Sequence, residues 1–141
     1  MIRYFINNTD RKIYNILILN EDKIISNNIE NESKKYPELN IIKKEDFNVT
    51  DDLLSTINIA VINMMWKNEN CGIDIANYIW KLYFRIKIIL LVDQQELECC
   101  LFYPQIALSR SIHDYLNKDS DVKKIVDRIR FHLKGDNCYA N

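Results

Sequence analysis

Few residues of this 141-residue sequence offer chemistry, and they fall at the ends of apolar runs. Asn20-Glu21-Asp22 follows directly on Ile13-Tyr14-Asn15-Ile16-Leu17-Ile18-Leu19, Asn63 ends the run Ile57-Asn58-Ile59-Ala60-Val61-Ile62, and Lys118 follows Asp114-Tyr115-Leu116-Asn117. Asn and Asp are preferred helix caps, so the first cluster has a structural task whatever else it does. A lysine at a strand end is usually a solvated charge, and only its neighbours single Lys118 out. Cys71, Cys99, Cys100 and Cys138 form no C-x-x-C pair, and His113 and His132 stand at no ligand spacing from them. They read as reduced thiols and boundary histidines rather than a structural metal centre.

Those residues must be placed by a fold, and composition limits which one. The length suits one domain with a single core. Hydrophobic residues make up 48% and charged residues 28%, with a formal charge of −1, as in an ordinary globular protein. Lys and Arg alternate with Asp and Glu along the chain, so there is no clustered basic face and direct nucleic-acid binding by this domain is not expected. The opening Met1-Ile2-Arg3-Tyr4-Phe5 is too short for a signal peptide, and no stretch approaches the roughly 20 apolar residues that span a bilayer. A cytoplasmic protein whose partner is another protein is expected.

Hydrophobic periodicity gives the elements. Residues 13–19 are a β-branched, nearly continuous apolar run, the pattern of a strand buried on both faces. A polar stretch with Ile25, Ile29 and Tyr36 on one face reads as a helix closed by Pro37. A strand at 39–43 follows, then a short helix capped by Thr50, a strand at 57–62, a helix with Ile75, Ala76, Ile79, Trp80 and Tyr83 on one stripe, and a strand at 86–92. Residues 94–102 read as a fourth helix before Pro104, and Tyr115-Leu116 as the fifth strand. The last helix has Ser120 as its cap, Val122, Ile125, Val126, Ile129 and Leu133 on its apolar face, and Gly135 at its end. Strand and helix alternate, so the expected fold is α/β, a doubly wound five-stranded parallel sheet of order 2-1-3-4-5 with helices on both faces. Residues 1–12 form an N-terminal extension, with 3–6 an extra strand or a tail. Residues 13–134 are the domain, and 135–141 a C-terminal tail or linker.

In an open doubly wound sheet, function gathers beyond the carboxyl ends of the strands. That rule brings Asn20, Glu21, Asp22, Asn63, Val92 and Lys118 to one edge. Their order and spacing resemble the receiver domain of bacterial two-component response regulators, over roughly 13–133. Ile16-Leu17-Ile18-Leu19-Asn20-Glu21-Asp22 is similar to the family's hydrophobic strand and its magnesium-holding acidic cluster. Asn63-Met64-Met65 stands at the phosphorylated aspartate, Gly72 at the glycine that opens the third helix, and Leu91-Val92-Asp93 at the strand end carrying a small hydroxyl residue. His113-Asp114-Tyr115-Leu116-Asn117-Lys118 resembles the Asp-Asp-Tyr-Leu-x-Lys segment with its lysine and aromatic switch residue. The switch-pocket equivalents are then Val92, Tyr115 and Lys118.

The departures imply a degenerate member, a pseudo-receiver. A neutral Asn63 amide cannot attack a phosphoryl group as a carboxylate does. Magnesium prefers oxygen ligands including one or two carboxylates, and with Asn20 and Asn63 in place only Glu21 and Asp22 remain, a relic site with weak or no Mg²⁺ binding. Val92 has no hydroxyl to contact a phosphate, and Asp119 replaces the proline that follows the family's lysine. Regulation by protein contact without aspartyl phosphorylation is the implied function, not an enzyme activity, with a protein partner or an output domain as the target. A homodimer through the fourth helix (94–102), the fifth strand and the last helix is one form of it, using Cys99, Cys100, Phe102, Tyr103 and Tyr115. Tyr115 is either a buried wedge or a partner-facing ring, and Met64, Met65 and Trp66 are expected in the core rather than on a docking face. Two competing readings are a receiver that phosphorylates an unorthodox residue such as Glu69 with Mg²⁺, and a flavodoxin-like FMN protein on the same strand order. The second needs a phosphate loop of free backbone N–H groups, where this chain offers carboxylates.

Overall fold

The structure, a computed structural model, describes residues 12–66, 72–93 and 110–140. Five strands form one parallel sheet: β1 (Tyr14–Leu19), β2 (Leu39–Lys44), β3 (Ile59–Asn63), β4 (Lys87–Val92) and β5 (Asp114–Asn117), in the order β2-β1-β3-β4-β5. The helices are α1 (Lys23–Ser33), α2 (Asp51–Leu54), α3 (Gly72–Leu82) and α4 (Val122–Ala140). The expected order and the parallel pairing are both observed. The helix expected over 94–102, its cysteines and aromatics, Glu69, and the segment 3–6 lie outside the described residues.

Alternation along each strand sends side chains to opposite faces and so builds two cores. Leu17, Leu19, Ala60, Ile62, Ile88, Leu90 and Val92 pack beneath α2 and α3, with Leu54, Ala76 and Ile79 above them. Ile16, Ile18, Ile59, Val61, Ile89 and Leu91 face α1 and α4, meeting Ile29, Ile125, Val126, Ile129 and Leu133. Each of these strand side chains is fully buried, and at about 1.5–3 kcal/mol per buried aliphatic side chain this burial supplies the main driving force. It also explains why the central strands read as continuous apolar runs instead of alternating ones. No helix among the described residues is long and apolar enough to cross a membrane.

The ends of the helices differ from expectation in three places. α1 stops at Ser33, not near Tyr36, because the amides of Lys34, Lys35 and Tyr36 bond to the carbonyls three residues back (3.3, 3.3 and 2.9 Å), tightening the chain into a turn before Pro37. Asp121, not Ser120, supplies the capping oxygen of α4, accepting the Lys123 N–H at 3.1 Å. α4 also runs through Gly135 to Ala140, so that glycine ends nothing and the backbone there is helical rather than a loose tail. Thr50 caps α2 as expected, accepting the Leu53 N–H at 3.2 Å.

Candidate functional site

The strand register sets the carboxyl edge. Leu19 pairs with Ile62, Asn63 with Leu91 and Val92 with Asn117, so Asn20 and Asn63 follow one another on adjacent strands, with Val92 and Lys118 further along the same edge. The sequence-predicted residues are therefore brought to one edge, but they do not form a metal-ligand set.

Asn20 is buried, and its Oδ1 accepts the Asp22 N–H at 2.9 Å. That bond fixes which end of the amide is oxygen. Its Nδ2, withdrawn from solvent, has no hydrogen-bond partner among the described residues. Asp22 is the N-cap of α1, its Oδ1 accepting from Ile24 N–H at 2.9 Å and Ile25 N–H at 3.4 Å. Capping is thus a task that Asp22 performs, and Glu21 is exposed beside it.

Asn63 turns back on its own loop. Its Nδ2 donates to the Met65 carbonyl at 2.7 Å, and its backbone carbonyl accepts from the Trp66 indole Nε1–H at 2.7 Å. Met64 and Trp66 are buried in the core as expected, whereas Met65 between them is only half-buried. Gly72 follows at closest approach: a Cβ there would lie 2.5 Å from Met64 Cα and 2.6 Å from the Asn63 carbonyl oxygen. Only glycine lets the start of α3 rest on the end of β3.

Val92 is fully buried, and Tyr115, half-buried, packs against the same core. Tyr115 is therefore a wedge along part of its surface. The Lys118 N–H donates to the Val92 carbonyl at 2.7 Å, continuing the β4–β5 pairing. Among the described residues no ion pair involves Lys118.

Magnesium, which the family resemblance implies, does not fit this edge. The Asn20 oxygen and an Asp22 oxygen are committed to backbone N–H groups. A buried amide N–H without an acceptor presents the wrong sign of partial charge to a cation. No group of three or more His, Cys, Asp or Glu side chains able to hold a metal occurs among the described residues. An FMN phosphate fits no better, since the first free amides of α1 are already taken by the Asp22 carboxylate.

Sequence reasoning missed a polar node on the opposite half of β5. Asp114 Oδ2 accepts from Arg128 at 2.8 Å and meets His132 Nε2 at 2.9 Å, while its Oδ1 accepts the Tyr115 N–H at 2.8 Å. Lys87 Nζ donates to the His132 carbonyl at 3.0 Å, and His113 Nδ1 accepts the Ile88 N–H at 3.0 Å. His113 is exposed and His132 half-buried, as expected of surface or boundary residues, and both are hydrogen-bonded. The available signal was the spacing of Arg128 and His132, four apart on one helical face and so able to converge on one carboxylate.

No family model matches the sequence, and no curated protein is similar to it. Solved structures are. A CheY-like response regulator receiver domain protein from Methanospirillum hungatei JF-1 superposes with a TM-score of 0.75 at 12% identity, over 91% of this chain and 99% of that one. The signal receiver domain of an HD domain-containing protein from Pseudomonas fluorescens Pf-5 gives 0.74 at 16% identity, over 90% and 99%. The isolated REC domain of RcsB from Salmonella enterica serovar Typhimurium, in the presence of phosphomimetic BeF3−, gives 0.71 at 15%, over 88% and 91%. The chain has the receiver fold. Within that fold, Asn63 ends β3 and Lys118 follows β5.

Proposed function

We propose that this chain is a pseudo-receiver, a regulatory module that acts by protein contact and carries no aspartyl phosphate. One observation carries the reading: the residue that ends β3 is an amide, Asn63, and that amide is spent on the carbonyl of Met65 two residues on. An amide has no carboxylate oxygen to attack phosphorus. Val92, an apolar residue sealed in the core, adds that nothing at the end of β4 bonds a phosphate oxygen. The receiver-like unit spans 13–134, and its working state is cytoplasmic, as a partner of another protein or of an output domain, with no catalytic role of its own. The surface of β5 and α4, together with the segment before β5, is the face through which it would meet that partner or a second copy.

The test is chemical. Incubation with a small phosphodonor and Mg²⁺ should leave the mass of the protein unchanged. A stoichiometric gain of one phosphoryl group, mapped to Glu69 or to any other residue, would overturn the reading in favour of a working receiver.

A further inference from the structure

The face that α3 turns away from the sheet carries large apolar residues where a solvent-facing helix is normally polar. We infer that this face is a self-docking surface, on which a second copy of the chain seats its own α3, antiparallel about a two-fold axis at Tyr78. The inference goes beyond the pseudo-receiver reading and does not depend on it. It adds a contact on the opposite side of the sheet from α4.

α3 holds more apolar residues than one buried face can use. Gly72, Ala76 and Ile79 are buried, and Ile73, Trp80 and, just past the helix, Tyr83 pack partly against the same core. Tyr78 and Leu82, one turn apart, are left 57% and 47% exposed, with Ile75 half-buried and Phe84 76% exposed just beyond the helix. A helix that is apolar on every side is normally covered on every side. Here the chain's own cover lies elsewhere. The flank of Asn77 meets the residues before β5, where Ser111 Oγ donates to Asn77 Oδ1 at 2.6 Å. α2 is a single turn of four residues and bonds past the end of α3, where Tyr83 Oη donates to the Asp51 carbonyl at 3.3 Å.

Charge and spacing say what covers this face. Around the helix, Asp74 and Lys81 fall on one side of Tyr78, and Ile75 and Leu82 on the other. Asp74 and Lys81 are both exposed, and neither side chain has an ion pair or hydrogen bond among the described residues. They stand about 10 Å apart along the axis and do not pair within the chain. An acid in the first turn and a base in the last also suit the helix dipole, which accounts for the charges but not for the apolar residues between them. A two-fold axis at the level of Tyr78 reverses the partner helix and keeps each flank on its own side. Asp74 then faces the partner's Lys81 and Lys81 the partner's Asp74, Leu82 faces the partner's Ile75 and Ile75 its Leu82, and the two Tyr78 rings meet at the centre. A parallel two-fold pair would instead lay the charged flank of each helix against the apolar flank of the other. With 11 residues α3 is about 16 Å long, so the pair buries less than the roughly 800 Å² per partner of a standard interface, and the dimer is a weak one.

Sedimentation equilibrium on the full chain, from roughly 10 µM to about 1 mM, tests this. The parent's mean mass should rise with concentration toward that of a dimer. Asp74→Lys alone and Lys81→Asp alone should each raise the dissociation constant about tenfold, because each sets like charges together at two symmetric places. An equimolar mixture of the two variants should associate as the parent does, since position 74 of one chain again faces an opposite charge at position 81 of the other. Tyr78→Ala, which removes an exposed ring, should weaken association by a similar factor, whereas Phe131→Glu, at an exposed position on α4, should leave it unchanged. A parent that stays monomeric at the highest concentration, single reversals that associate like the parent, or a mixture no better than its components would overturn the inference. So would association lost in Phe131→Glu and kept in Tyr78→Ala, which would put the contact on α4. Should circular dichroism show either charge variant unfolded, Tyr78→Ala and Phe131→Glu decide.

Discussion

Replacing Asp114 with alanine should detach the last helix from the edge strand. β5 has four residues and one neighbour in the sheet, β4, so its position depends on what holds it from above. Asp114 is the acceptor on which that hold converges. The Arg128 guanidinium is 40% exposed and finds water when its partner goes, so its share is at most about 0.5 kcal/mol. The His132 bond is different: its two side chains are 15% and 14% exposed, and a hydrogen bond to a charged acceptor in such surroundings is worth about 1.5 kcal/mol. The Tyr115 N–H, on an edge, is rehydrated at a cost of about 0.5 kcal/mol. Asp114→Ala should therefore cost about 2 kcal/mol in stability, most of it through His132.

Urea denaturation measures this directly. With a slope of about 2 kcal/mol per molar for a domain of this size, the midpoint should fall by about 1 M and the slope should not change. Raising salt should erase only the Arg128 share, because the less exposed pair is poorly screened. A cycle with His132→Ala and the double variant should return a coupling of about 1 kcal/mol. A loss below about 0.5 kcal/mol, or strict additivity of the two single variants, would refute the claim that this node holds β5 to α4.

Three further outcomes are expected. Asn63→Asp should not restore phosphoryl uptake by mass, and it should lower stability by about 1–3 kcal/mol in urea melts, because a carboxylate then faces the Met65 carbonyl that the amide now donates to at 2.7 Å. Gly72→Ala should cost more than about 2 kcal/mol by the same assay, since its Cβ would sit 2.5 Å from backbone that cannot yield, and a near-neutral result would mean that α3 can slide off β3. Asp121→Ala should cost about 1 kcal/mol while Ser120→Ala costs nothing measurable, and the reverse order would return the cap of α4 to Ser120.

The fold was legible because parallel strands buried on both faces leave an unmistakable mark. Ile16-Leu17-Ile18-Leu19 and Ile88-Ile89-Leu90-Leu91-Val92 read as apolar without interruption, and both lie fully buried in the sheet. Helix ends were less legible, because they are decided by which of several adequate residues takes the role. Ser120 and Asp121 are both good caps, and the turn at Asn117, whose carbonyl accepts the Ser120 N–H at 3.0 Å, leaves Asp121 as the residue that faces the first amides. Gly135 failed as a stop because a glycine inside a helix costs only about 1 kcal/mol, which neighbouring turns can absorb. At the site, the neutral chemistry of Asn63 and Val92 was plain from residue type, but what those residues do instead was not. The bond from Trp66 to Asn63 is made by a ring that sequence marks only as core, and the node at Asp114 joins residues 14 and 18 positions apart, which periodicity within a single element does not detect.

The substitutions along the carboxyl edge belong together for an electrostatic reason. Carboxylates crowded at one strand edge repel: two unit charges about 5 Å apart cost about 3 kcal/mol at an effective dielectric constant near 20. A divalent cation is then as much a neutraliser as a reagent. On the pseudo-receiver reading, amides at positions 20 and 63 lower that repulsion, and with it the need for a cation. The strand ends are then tied by uncharged bonds, as in the Asn20–Asp22, Asn63–Met65 and Trp66–Asn63 contacts. That pairing has a thermodynamic consequence. A ligand shifts a conformational equilibrium only by its differential affinity for the two states, and on the pseudo-receiver reading an edge where Asp22 and Asn63 side chains already bond to backbone groups leaves a phosphoryl group or a metal little such difference. On that reading, switching in this domain comes from a partner that binds one conformation of its surface better than another.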